Sequence, residues 1–168
     1  MLGAAPGVAR VGVSMMLLAV ALGGCVPLLP SDPAPPPAGV REDDGVLSVI
    51  VQRCQNDKPL GAEIVPYESH ADDMEPSWVA RGYVGGTSDI IRLDSEHWQK
   101  VEGSYQSLDW FGLSIDMGDR FEGTEVRDDD SYHDLGRDEF LVNDKVMTAD
   151  EFRRLIAADF PCPRDTSS

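Results

Sequence analysis

The stretch Phe111-Gly112-Leu113-Ser114-Ile115-Asp116-Met117 decides the fold class. Its large apolar residues fall at every second position, with Gly, Ser and Asp between them. A side-chain period of two puts Phe111, Leu113, Ile115 and Met117 on one face of a strand and leaves the other face to water. Gly118-Asp119 follows, then Arg120 to Val126. The pair reads as a hairpin closed by a two-residue loop.

Similar segments lie on both sides. Upstream are Val46 to Arg53, Ala62 to Tyr67, Trp78 to Val84 and Ser88 to Leu93. In the first, Leu47, Val49 and Val51 share a face opposite Ile50. Pro66 marks the second as an edge strand, since proline has no amide to donate. Downstream, Asp138 to Val142 and Lys145 to Met147 flank Asn143-Asp144, a turn pair that tolerates left-handed backbone angles. Thr148 and Glu151 have the spacing of a helix capping box. Phe152, Leu155 and Ile156 continue at helical spacing as one apolar stripe, and Pro161 stops the helix. The expected fold is mainly β: an antiparallel sheet or sandwich with one short C-terminal helix. No internal repeat at a fixed period is present.

The start of the chain has a different character. Val11 to Leu22 is twelve uncharged residues behind Arg10. As a helix it would be about 18 Å long, against about 30 Å for a hydrocarbon core. It reads as the apolar region of a secretory signal peptide; a retained anchor or a buried core helix is the alternative. Gly12, Gly23 and Gly24 argue against a sturdy helix.

Leu22-Gly23-Gly24-Cys25 resembles the lipobox of bacterial lipoproteins: an aliphatic residue, two small ones, then cysteine. The layout of the chain is similar to lipoproteins of actinobacteria. Glycine at the middle position is tolerated there rather than preferred. The resemblance implies a diacylglycerol (palmitate-type) thioether on Cys25, removal of residues 1–24, and a protein lipid-anchored at the extracytoplasmic face of the cell membrane. Two acyl chains give stable anchorage where one is marginal. Residues 25–44 then form a lipidated Pro-rich linker, with six prolines from Pro27 to Pro37 and a charged end at Arg41-Glu42-Asp43-Asp44. Residues 45–168 form a single extracytoplasmic β-rich domain, roughly 120 residues and enough for one core.

The chain has 168 residues, 42% of them hydrophobic, and a formal charge of −16. Residues 1–24 hold one Arg and no acid, so the mature chain would be one charge more negative, at −17. That argues against nucleic acid as a partner and against adhesion to anionic headgroups. With Cys25 acylated, Cys54 and Cys162 remain as a pair expected to form a disulfide in an oxidising compartment; two unpaired thiols is the alternative.

Catalytic signals are sparse. Acids at Asp128, Asp130, Asp134 and Glu139 have the spacing of an EF-hand calcium loop, so they are the candidate metal ligands. His133 stands where that loop needs glycine, and Tyr132 is a poor ligand; a solvated acidic loop is the alternative. His70, His97 and His133 form no zinc motif, and there is no G-x-S-x-G elbow. Glu68, Glu75, Glu96 and Glu102 could supply paired carboxylates, with nothing to fix their separation. Trp78 and Phe111 are expected in the core, whereas Trp98, among Glu96, His97 and Gln99, is expected at the surface. The resulting expectation is a non-enzymatic binding module without a cofactor, meeting an envelope protein or wall component. A small envelope hydrolase and a calcium-dependent module are the alternatives.

Overall fold

The computed structural model describes residues 35–67, 74–105, 108–127 and 132–162. In chain order these form β1 (Gly39–Asp43), β2 (Val46–Ile50), β3 (Gly61–Pro66), β4 (Trp78–Tyr83), β5 (Ile90–Arg92), β6 (Trp98–Gly103), β7 (Trp110–Asp116), β8 (Phe121–Arg127), β9 (Glu139–Val142), β10 (Lys145–Thr148) and α1 (Ala149–Asp159). Two antiparallel five-stranded sheets result, in the orders β10-β9-β1-β2-β5 and β6-β4-β3-β7-β8.

The alternation in β7 carries the second sheet. Phe111, Leu113, Ile115 and Met117 are buried, and β7 pairs with β8 from Trp110↔Arg127 to Asp116↔Phe121. Gly118 takes φ 93°, which an L side chain rarely adopts, so the two-residue loop closes there without strain. Val40, Leu47, Val49 and Leu141 of the first sheet meet Ile64, Ala80, Phe111 and Leu113 of the second in one apolar cluster. This is the sandwich core.

A smaller cluster lies on the other face of the first sheet. Ile50, Phe140 and Val142 pack there against Ala149, Phe152 and Ile156 of α1. Strand β2 therefore serves both layers: Leu47 and Val49 point inward, while Ile50 supports the helix. Thr148 and Glu151 cap α1 reciprocally. Gly39 sits on the helix side of β1, where an added Cβ would stand 2.7 Å from Val142 Cγ2 and 2.8 Å from Ile50 Cγ2. The close approach of these neighbours requires glycine.

Several expectations are corrected. The linker was expected to run through residue 44, but the folded unit begins earlier. Pro37 bridges Gly123 of β8, Ala38 is fully buried, and β1 lies in the middle of the first sheet between β9 and β2. Asp44 (φ 52°) and Gly45 (φ 80°) form the tight turn of the β1–β2 hairpin. Pro66 does not mark an edge: β3 is central, between β4 and β7, and Pro66 is its last residue. Strand β6 was not expected at all. Trp98 opens it and is only 4% exposed; its indole Nε1 donates to the Arg92 carbonyl at 2.9 Å, and its ring packs on Trp78 and Tyr83. Of its polar neighbours in sequence, Gln99 lies on the strand's open face, while Glu96 and His97 belong to the turn before it.

Candidate functional site

Cys54 and Cys162 are joined by a disulfide, which ties the exit of β2 to the segment after α1. Beside it lies a polar cluster that the sequence did not announce. Strand β8 turns Glu122 inward, opposite Ile115, and leaves it 0% exposed. Its carboxylate accepts from the Gln52 amide at 2.6 Å and from Arg120 Nε at 2.9 Å. Arg120 also donates to the Gln52 carbonyl at 3.0 Å and to Asp57 at 2.6 Å, and Asp57 accepts from the Cys54 amide at 2.8 Å. The Gln52 side chain donates to the Phe160 carbonyl. Burial pushes the Glu122 carboxyl up to about 7, against the opposing pull of the Gln52 amide and Arg120. This cluster pins the segment after β2 to α1 and to β8. Its groups are spent on one another, so it is structural. An adjoining groove of about 460 Å³ runs between this segment and α1, and its charged pair, Arg153 and Asp89, is mutually satisfied at 2.7 and 3.1 Å.

A second cavity, of about 330 Å³, has a different composition. Antiparallel register places Arg41 of β1 beside Ser48 of β2, and Ser48 beside Arg92 of β5. These three form a row on the helix-bearing face of the first sheet, beyond the ground covered by α1. Tyr83, Gly85, Ser88, Ile90 and His97 complete the lining. Arg53 braces the loop above, donating to the carbonyls of Gly86 at 3.0 Å and Ser88 at 2.6 Å.

The charges at this cavity are ordered by acids behind them. Arg41 Nε donates to Asp43 at 2.9 Å and Arg92 Nε to Asp94 at 3.1 Å. Asp94 also meets His97 Nδ1 at 2.7 Å. Burial works against the Asp94 anion, but hydrogen bonds from His97 and Arg92 hold its carboxyl below the ordinary range. Burial raises the Tyr83 phenol, so Tyr83 is a neutral hydroxyl at physiological pH. Arg41 is only 9% exposed, and its Nη1 is buried without a hydrogen-bond partner. Its guanidinium carbon stands 4.7 Å over the Phe140 ring.

The other residues singled out from sequence scatter. Cys25, His70, Glu68, Asp128 and Asp130 lie outside the described residues. Of the candidate calcium ligands that are described, Asp134 is exposed and Glu139 caps the Gly136 amide at 2.9 Å. Among the described residues no three acids, histidines or cysteines come together as a metal-ligand group. Tyr132 is not part of an open loop: it is buried and packs edge-on against Phe111. Its neighbour His133 meets Glu42 at 3.0 Å. Glu75, Glu96 and Glu102 are exposed, and Glu102 pairs with Lys100 at 2.7 Å.

The exposed tryptophan is Trp110, at 41%, on the outer face of the second sheet. Tyr67 lies against it with ring centroids 5.0 Å apart, across Gly112, where a Cβ would come within 2.8 Å of the Tyr67 hydroxyl. Glu125 accepts from the Trp110 indole at 3.0 Å, and the Arg127 guanidinium stands 5.7 Å from that ring.

No helix among the described residues is long and apolar enough to cross a membrane. No family model, no curated protein and no solved structure matches the chain.

Proposed function

We propose that the chain is a lipid-anchored, non-enzymatic binding module at the extracytoplasmic face of a cell membrane, held there through Cys25. The observation that carries this reading is the Cys54–Cys162 disulfide, which leaves Cys25 as the remaining cysteine of three. Disulfides belong to oxidising compartments. An unpaired cysteine behind an apolar run, ahead of a proline-rich stretch, fits acylation. The Tyr67–Trp110 pair supports a binding role, because adjoining aromatic rings on a polar sheet face suit an envelope protein or a wall glycan.

Radiolabelled palmitate tests the anchor. It should enter the full-length protein in its native host, and the Cys25→Ala form should be released from membranes. Absence of label while another lipoprotein of the same cells takes it up would reject the assignment. Trp110→Ala should fold normally and lose its co-purifying envelope neighbours.

The second reading, a small envelope hydrolase, has one observation in its favour. The Asp94–His97 pair stands at a cavity that also holds Ser48 and Ser88. A serine nucleophile needs a hydrogen bond to its base. Here the Ser48 hydroxyl donates to Asp43 at 2.9 Å, and the Ser88 hydroxyl accepts from the Ile90 amide at 3.0 Å. The Ser48 proton is therefore committed to Asp43, and neither hydroxyl is hydrogen-bonded to His97, which disfavours this reading. Turnover of an ester substrate that is abolished in both Ser88→Ala and His97→Gln would restore it.

A further inference from the structure

We infer that the cavity between Arg41 and Arg92 is a binding site for a small organic carboxylate. The inference deepens the binding reading above and does not depend on the membrane anchor.

The geometry starts from the sheet. Arg41, Ser48 and Arg92 occupy neighbouring positions on three adjacent strands. Strands lie about 4.8 Å apart, so the two arginine backbones are about 10 Å apart across the row. The residue between them is serine, whose short side chain leaves a trough flanked by two long cationic arms. Tyr83 and Ile90 give the trough an apolar wall, and His97 lies beside them. A Cβ on Gly85 would collide with the Tyr83 hydroxyl and stand 2.8 Å from His97 Cδ2, so glycine is what allows this wall to close.

The electrostatics point the same way. Each arginine is held by an acid at Nε alone, so Asp43 and Asp94 orient the guanidinium groups and leave the Nη groups without an acid partner. Arg41 is nine-tenths buried and carries an unpartnered donor. Buried donors of this kind are uncommon and call for an explanation. The composition sharpens the point: 30 acids face 14 lysines and arginines, so basic groups in this chain have acidic partners in excess. Two guanidinium groups that line one cavity and meet an acid only at Nε run against that excess. A planar guanidinium matches a carboxylate through paired hydrogen bonds. The Ser88 hydroxyl, whose proton is uncommitted, and the neutral Tyr83 hydroxyl add short-range polar contacts. A volume of about 330 Å³ limits the ligand to a small molecule.

Isothermal titration of the full chain with succinate and acetate tests this, with inorganic phosphate and chloride at matched ionic strength as comparison anions. Saturable binding of succinate is expected, at least tenfold tighter than phosphate. Arg92→Gln, on an edge strand and partly exposed, should weaken it at least tenfold. Arg41→Lys should weaken it similarly if its circular dichroism remains native. Lys100→Gln, on the other sheet, should leave it unchanged. Absence of saturable carboxylate binding, an equal response to chloride or phosphate, or full binding by Arg92→Gln would each overturn the assignment. Cys25→Ala protein should bind succinate as the parent does, so failure of the anchor and failure of the site give different results.

Discussion

Glu122 makes the stability of this protein depend on pH in the opposite direction from a surface carboxylate. Its carboxyl is raised from 4.5 to about 7 by burial between the sheets. A group whose folded value is raised contributes stability that is fully present below its unfolded value, near 4.5, and is lost as pH rises through about 7. A shift of that size corresponds to about 3 kcal/mol, at about 1.4 kcal/mol per unit, and about 2 kcal/mol of it falls between pH 5.5 and pH 8. The assay is urea unfolding under non-reducing conditions at those two pH values. With a slope of about 2 kcal/mol/M, the wild-type midpoint should fall by about 1 M between them. Glu122→Gln removes the titrating group. Its amide places a donor against Arg120, so the variant should be less stable overall, but its midpoint should be nearly flat over the same range. The variant also controls for every other group that titrates there. Parallel pH profiles for wild type and variant would refute the reasoning. They would mean that the Arg120 and Gln52 contacts outweigh the burial of the carboxylate.

The remaining predictions concern the scaffold. Replacing Cys54 and Cys162 together by alanine should lower stability by up to about 5 kcal/mol, the chain-entropy figure for a separation of 108 residues, read from urea midpoints of oxidised wild type and double variant. Gly39→Ala should cost about 1 to 3 kcal/mol by crowding Val142 and Ile50, measured by the same unfolding curves. Phe152→Ala should cost about 3 to 5 kcal/mol and remove hydrogen-exchange protection from α1 before the sandwich core loses it. Thr148→Ala, which removes one half of the capping box, should cost about 1 kcal/mol.

The residues of β7 were legible because one face is core and the other solvent, which imposes strict alternation, and β8 followed from the Gly118-Asp119 turn rather than from its own pattern, since Glu122 faces inward and Phe121 outward. In β2 the sequence placed Ile50 opposite Leu47 and Val49, and the structure gives those two faces to separate apolar clusters. The capping box named the start of α1, and counting cysteines foretold their pairing. Strand β1 was hidden because Arg41, Glu42 and Asp43 look like a solvated run. The tertiary context inverts that impression: Arg41 lies over Phe140, and its charge is held by Asp43. Asp44-Gly45 was the usable clue, a strong two-residue hairpin signal placed directly before Val46. Strand β6 was hidden because an edge strand with polar Gln99, Lys100 and Glu102 carries little period-two contrast. The Arg41–Ser48–Arg92 row could not be read at all, since it exists only through the register of three strands, one of them far along the chain.

Strand β1 lies between two hydrogen-bonded neighbours, and Pro37, just ahead of it, bridges to the other sheet. Tension applied through the residues before Pro37 would therefore enter the middle of a sheet and run along the strand. Hydrogen bonds to β2 would be loaded in shear, several at once, instead of peeling apart singly. A domain strung on a tether in this way should resist being pulled open far better than its modest size suggests. Single-molecule extension from the amino-terminal side, compared with extension across the β7–β8 hairpin, would measure that difference.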